Sequence, residues 1–262
     1  MKIVVCVKQV PDTNEVRLDP VTNTLIREGV PSIINHDDKS GIEAALRLRD
    51  ETGGTVTVLC MGPPQADVAL REALAMGCDE AILISAGEFG GSDTWATAAI
   101  ISAALKKIDY DLVITGRQAI DGDTAQVGPQ IAETLGVPQV SYVEELRVEN
   151  GTLVVKRQFE DRYHIIEVKP PCLLTALSEL AEPRYMHVGG IVDAYLKDIR
   201  VLGFDDLKGG LNPDFIGLKG SPTNVVKSFT KQAKGAGTIL TDASADEAVA
   251  AIIQKMEERH IL

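Results

Sequence analysis

The sequence predicts an α/β fold with a parallel central sheet, and three observations carry that prediction. Short apolar runs alternate with segments of helical periodicity through the first half of the chain, a rhythm that implies right-handed βαβ crossovers with helices on both faces of the sheet. After Pro138 the helices stop and strand-like runs follow one another directly, so an antiparallel meander is expected to extend the sheet. A chain of 262 residues, 45% hydrophobic and 24% charged, buries a sizeable core without help from a metal or disulfides.

KIVVCVK, residues 2–8, reads as a first strand that opens into the polar loop Gln9-Val10-Pro11-Asp12. VRLDPVTNTLI then alternates around Asp19-Pro20 and Thr22-Asn23, which suggests a small hairpin excursion. Asn35 to Asp38 precede KSGIEAALRLRDETGG, an amphipathic helix with acidic residues at its start and Gly53-Gly54 at its end. The pattern repeats as strand 55–61, helix 65–76, strand 79–84, helix 93–107, strand 111–115 and helix 124–135. The runs 141–149, 151–161, 163–169 and 172–177 make up the meander, with Pro170-Pro171 excluding central pairing at that point.

From Glu182 onward glycines and prolines punctuate a segment with few long apolar runs, poor material for an independent domain. The expected division is therefore an α/β domain over 1–189 and an arm over 190–262. The arm ends in a capped helix whose Ala248, Ile252, Ile253 and Met256 form an apolar stripe, suited to another chain or to the main sheet.

The chain is organised around residues 111–136, DLVITGRQAIDGDTAQVGPQIAETLG. A buried strand, Leu112-Val113-Ile114, leads through a polar loop to a helix stopped by Gly136 and Pro138. Asp123 or Thr124 is expected to cap that helix, and Gly122 to let the backbone turn without a Cβ. Free N–H groups at the positive end of a helix suit a phosphate. In a parallel sheet this loop would meet those after Cys6 and Met61 beyond the carboxyl ends of the strands. Neither G-x-x-x-x-G-K-[ST] nor G-x-G-x-x-G is present.

Charge and residue usage exclude several classes. The 38 acidic against 26 basic side chains give a formal charge of −12, a surface that repels nucleic acid and anionic membranes. Four cysteines without CxxC spacing and four scattered histidines read as buried thiols and structural or surface imidazoles, with no metal site. No window approaches the roughly 18 apolar residues of a membrane helix, and the chain enters a strand without a basic leader; a soluble, cytoplasmic protein is expected. Ser92 and Asp93 read as a helix cap, no G-x-S-x-G elbow exists, and no catalytic side chain is assigned.

KIVVCVKQVPDT at the start, ALAMGCDEAILI, the 111–136 stretch and SELAEPRYMHV together resemble the β subunit of electron-transfer flavoproteins. In the meander, Arg157, Glu160, Glu167, Pro171 and Thr175 stand in corresponding places. The resemblance implies a Rossmann-like, nucleotide α-hydrolase-like domain that binds an adenine nucleotide, paired with an α subunit that holds FAD and on which the C-terminal arm packs. In ordinary members the nucleotide is AMP. In electron-bifurcating members it is a second FAD that takes hydride from NADH and serves ferredoxin or flavodoxin together with an acyl-CoA or other flavin dehydrogenase. The loop IDGDTAQVGP and the segment NHDDKSG resemble the bifurcating type, so FAD is the expected cofactor and AMP the alternative. A stand-alone nucleotide-binding protein of the universal-stress type is the further alternative.

Carried onto this chain, the cofactor-binding positions are Cys6, Asn35, Asp37, Asp38, Met61 and the run Gly116, Arg117, Gln118, Asp121, Gly122, Asp123, Thr124, Ala125, Gln126 and Val127. The backbone from Gly122 to Val127 and the Thr124 hydroxyl would hold phosphates, while Asn35, Asp38, Asp121 and Gln126 would serve adenine or ribose groups. The resemblance also assigns SELAEPRYMHV as a partner-recognition segment. Leu180 is the expected anchor, and Glu182, Pro183, Arg184 and Tyr185 set the exit of the chain.

Overall fold

Strands that are apolar along their whole length need cover on both faces, and Lys2–Val7 and Leu112–Gly116 take the two central places of a sheet that provides it. The computed structural model describes residues 1–12, 31–223, 225–226, 235 and 237–262. The hairpin expected over 16–26 lies outside the described residues. Residues Met1–Val225 form one compact unit and Val226–Leu262 a second.

In chain order the first unit comprises β1 (Lys2–Val7), β2 (Gln9–Pro11), β3 (Ser32–Ile34), α1 (His36–Thr52), β4 (Thr55–Met61), α2 (Asp67–Met76), β5 (Glu80–Ile84), α3 (Thr94–Leu105), β6 (Leu112–Gly116) and α4 (Val127–Leu135). It continues with β7 (Gln139–Glu149), β8 (Thr152–Gln158), β9 (Tyr163–Val168), β10 (Cys172–Ala176), α5 (Val188–Leu196), β11 (Ile199–Leu202), α6 (Phe204–Leu207) and α7 (Gly217–Gly220). The second unit holds α8 (Ala245–Glu258), which begins with a Ser244/Glu247 capping box.

The main sheet has nine strands in the order β11-β5-β4-β1-β6-β10-β7-β8-β9. Neighbours from β11 to β7 are parallel, and β7-β8 and β8-β9 are antiparallel. This is the parallel sheet with a meander that the periodicity predicts, with one correction: β10, expected as the last strand of the meander, inserts between β6 and β7 and runs parallel to both. β2 and β3 form a separate two-stranded antiparallel ribbon. From β1 the chain moves outward through β4 and β5, then returns to place β6 on the other side of β1. The order therefore reverses between β1 and β6, the switch point at which sheets of this kind leave a crevice beyond the strand ends.

Alternating strand residues divide the core into two layers. Val5 and Ile114 pack with Ile42, Leu46 and Leu70 of α1 and α2, while Val4 and Val113 pack with Ile100, Leu105 and Ile131 of α3 and α4. Burying each such side chain contributes about 1.5–3 kcal/mol.

Beyond Glu182, where apolar runs are sparse, the chain still adds to this unit. β11 extends the parallel edge by pairing with β5, and Ala194 of α5 joins the first core layer. Arg71 Nη1 donates to the carbonyls of Ala194 and Lys197 at 2.6 and 2.5 Å, closing the C-terminal end of α5 from a distant helix.

α1 lies close against the sheet because Gly41 has no side chain: a Cβ there would stand 3.0 Å from Ile114 Cγ2 and 3.6 Å from Ala176 Cβ. Gly41→Val is expected to destabilise the fold by about 1–3 kcal/mol through overpacking, read as a lower urea midpoint with an unchanged m-value.

Candidate functional site

Asn35 and Asp38 lie at the start of α1, where free N–H groups and the helix dipole favour acidic residues. The fold carries this turn into the crevice between β1 and β6. Asp38 is buried there: Oδ2 accepts the Lys8 N–H at 2.7 Å, and Oδ1 accepts the Gly116 N–H and the Asn35 amide, each at 3.0 Å. One carboxylate thus joins the chain leaving β1 to the chain leaving β6. Asn35 does the same one step further along the loop, donating to the Gln118 carbonyl at 2.8 Å and accepting the Ile120 N–H at 3.1 Å.

Two glycines make this approach possible. A Cβ on Gly116 would stand 2.1 Å from Asp38 Oδ1, and one on Gly128 would stand 2.6 Å from Thr115 Oγ1 and 2.8 Å from Thr175 Cγ2. Gly122 has a different role from the one expected. Nothing lies within 4 Å of a Cβ there and its φ is ordinary, whereas Asp123 and Ala125 carry the left-handed backbone at φ 51 and 52. Asp123 tolerates that conformation because its short polar side chain bonds locally, accepting from Gln118 Nε2 at 2.8 Å.

The helix after the loop begins at Val127, three residues later than position 124. Neither Asp123 nor Thr124 caps it. Gln126 occupies the cap position without a side-chain cap bond, since its Oε1 accepts from Thr94 Oγ1 at 2.9 Å instead. The first turn of α4 therefore keeps backbone N–H groups at Val127 and Gly128, while Pro129 has none to satisfy.

The remaining assigned positions spread around this centre. Cys6 is buried at the end of β1, and burial with Asp38 nearby pushes its thiol pKa up, so it is no thiolate nucleophile. Met61 is half-buried at the end of β4 and packs on the α3/α4 layer. Arg117 donates its N–H to the Ala176 carbonyl at 2.8 Å, and its Nε lies 3.4 Å from Asp37 Oδ2. Both of those side-chain atoms are buried without a hydrogen-bond partner. Asp121 is neutralised by Lys8 Nζ at 2.6 Å. The sequence reading did not single out Lys8, although a lysine directly after a central strand is a usable signal for a cation at this crevice.

The segment expected to meet a partner runs along α1. Leu180 is half-buried against the α1/α2 layer, so it does not stand out as a free anchor. Ala181 donates its N–H to Ser40 Oγ at 2.9 Å, Glu182 accepts from Arg47 Nη2 through its carbonyl at 3.2 Å, and Pro183 is half-buried. Arg184 bonds Glu43 and Asp50. Exposed apolar side chains begin in this segment at Tyr185, 96% exposed, and continue along α5 with Val188, Val192 and Leu196 at four-residue spacing. That apolar row was legible in VGGIVDAYL at helical spacing.

Among the described residues no group of His, Cys, Asp and Glu suits a metal ion, and no helix is long and apolar enough to cross a membrane. Ser92 bonds the Phe89 carbonyl, and Asp93 caps α3 through Ala96 N–H. The sheet, with helices on both faces and its order reversing between β1 and β6, defines a Rossmann-like α/β protein.

Residues 22–200 match the model of the electron transfer flavoprotein domain. The chain is 56% identical over 263 residues to "Electron transfer flavoprotein subunit beta" of Thermoanaerobacterium thermosaccharolyticum, with all of both chains covered. It is 54% identical over 264 residues to "Caffeyl-CoA reductase-Etf complex subunit CarD" of Acetobacterium woodii, and 51% identical over 269 residues to "Acryloyl-CoA reductase electron transfer subunit gamma" of Anaerotignum propionicum, again with full coverage of each chain. The chain belongs to the electron transfer flavoprotein family, among its β subunits.

Burial pushes the Asp38 carboxyl up from 3.8 to about 7. Between those values the folded chain holds a proton that the unfolded chain has lost, so this group's contribution to stability falls as pH rises. In Asp38→Asn that decline is expected to disappear, checked by urea midpoints across the same pH interval.

Proposed function

We propose that this chain is the β subunit of a heterodimeric electron-transfer flavoprotein that holds an adenine nucleotide, FAD, in the crevice between β1 and β6 and acts in the cytoplasm. Its partners are an FAD-bearing α subunit, NADH, a flavin dehydrogenase acting on acyl-CoA or related thioesters, and ferredoxin or flavodoxin as low-potential acceptor. One observation carries the reading: the loop Gly116–Gln126, hung from Asn35 and Asp38, leads into an α4 start that no side chain caps.

The residues present fit such a ligand. Gly116 and Gly128 leave no Cβ between the loop, Thr115 and Asp38, and the N–H groups of Val127 and Gly128 favour a phosphate at the positive end of α4. Lys8 adds a cation beside the loop and offsets Asp121. Arg117 Nε and Asp37 Oδ2, 3.4 Å apart and neither in a hydrogen bond, are a donor and an acceptor that a ligand could engage. The chemistry supplied when FAD is bound is hydride acceptance from NADH and onward delivery of electrons to the α-subunit flavin and a second acceptor, as in electron bifurcation. The protein's own part is to bind, orient and exclude water. AMP as a structural ligand is the second reading, favoured by nothing in the loop beyond its common adenylate chemistry.

Partner docking is assigned to Tyr185, Val188, Val192 and Leu196, with Leu180 fixing the segment to the core. A CoA-thioester dehydrogenase as the partner is supported by relatives whose names are those of caffeyl-CoA and acryloyl-CoA reductase subunits. The C-terminal residues 190–262 are assigned in part to the α subunit through the α8 stripe of Ala248, Ile252, Ile253 and Met256.

Purified with its α subunit, the chain should carry a second FAD per pair; one FAD with AMP replaces the leading reading by the second. Gly128→Val should lose the β-site nucleotide, read as nucleotide released on denaturation, with the α-subunit flavin retained. Val188→Asp should weaken dehydrogenase coupling by roughly 30-fold in KM, the scale of a hot-spot residue, without changing flavin content.

A further inference from the structure

The ligand loop and the docking segment are secured to the same helix. On the loop side, the first turn of α1 holds Gly116 and Ile120 through Asp38 and Asn35. On the docking side, the next turns hold Ala181 through Ser40 and Arg184 through Glu43. Between them stands Asp37, whose carboxylate faces the backbone amides of both Gln118 and Ser178.

Glu43 is the strongest of these attachments. Its side chain is 4% exposed, yet it receives Arg184 Nε at 2.7 Å, Arg184 N–H at 3.2 Å and Arg47 Nε at 2.8 Å. Burial by itself raises a carboxyl pKa, but the hydrogen bonds from Arg184 and Arg47 outweigh it and hold Glu43 below its usual range. Arg184 also reaches Asp50 at 3.1 Å. Tyr185, the next residue, is fully projected into solvent, so the last fixed point before the docking surface is the Glu43–Arg184 pair.

We propose that α1 couples the two regions, with Glu43 as the positioning residue, so that an adenine nucleotide held by the loop after β6 orders the docking segment 178–188. A ligand that stiffens a shared element lowers the entropic cost of ordering whatever else that element holds. By linkage, a docked partner strengthens nucleotide binding by the same factor. The inference rests on reading the loop as a nucleotide site and 178–188 as the root of the partner surface. It adds that occupancy of one governs presentation of the other.

Hydrogen–deuterium exchange on the full-length chain, without nucleotide and saturated with AMP or with FAD in separate arms, tests this directly. In the natural sequence, nucleotide should slow exchange over 182–188 by about fivefold, the lower end of common allosteric couplings. Glu43→Gln should raise exchange there in the absence of nucleotide and abolish the response, while nucleotide affinity stays within about twofold. Arg184→Gln, which leaves α1 itself untouched, should do the same and carries the test if the buried substitution impairs folding. Binding with no change in exchange over 182–188, or a response that survives both substitutions, overturns the coupling while leaving the nucleotide site standing. Failure of both AMP and FAD to bind removes the site reading, and the coupling with it.

Discussion

The structure of the functional half depends on one buried carboxylate. Asp38 accepts N–H groups from the ends of β1 and β6 and from Asn35, so the two strands that flank the switch point are tied by a side chain from the helix packed across them. A buried carboxylate without such donors costs several kcal/mol. With them, the same group becomes the fixed point of the crevice. Gly116 is part of the interaction, because any Cβ at that position would occupy the place of Asp38 Oδ1.

From that point the loop after β6, proposed as the ligand loop, follows as a consequence. Once Gly116 and Ile120 are held, the residues up to Gln126 span a short gap to α4, and two left-handed residues, Asp123 and Ala125, make the turn. The loop spends its polar side chains on itself and its neighbours: Asp121 on Lys8, Asp123 on Gln118, Gln126 on Thr94. What stays open is backbone at the start of α4, together with the Arg117–Asp37 atoms that find no hydrogen bond. The nucleotide proposed for this loop would bring its own reactivity, and the protein would supply position and field.

The segment proposed for docking obeys the same economy. Leu180 turns toward the core, and ion pairs along α1 hold the chain until Tyr185, after which apolar side chains of α5 face outward. A rigid root with an exposed apolar row is the arrangement that lets a small contact bind without a large ordering cost.

Much of this was readable from residue order alone. The apolar runs at 2–8, 55–61 and 111–115, separated by helical segments, determined a parallel sheet, because periods of two and 3.6 bury different faces. The family resemblance rested on contiguous segments, which are local by nature. The sequence also marked Asn35, Asp38 and Gly116 as site positions. Their partnership was not legible, since Lys8, Asp38 and Gly116 are far apart in the chain and meet only when α1 crosses between β1 and β6. Tertiary structure likewise decided that Gly128 and Gly116, not Gly122, need the absence of a Cβ, that α4 begins at Val127, and that β11 joins the sheet edge. Each of these depends on the distance between elements, a quantity that packing sets and that no local pattern of residues encodes.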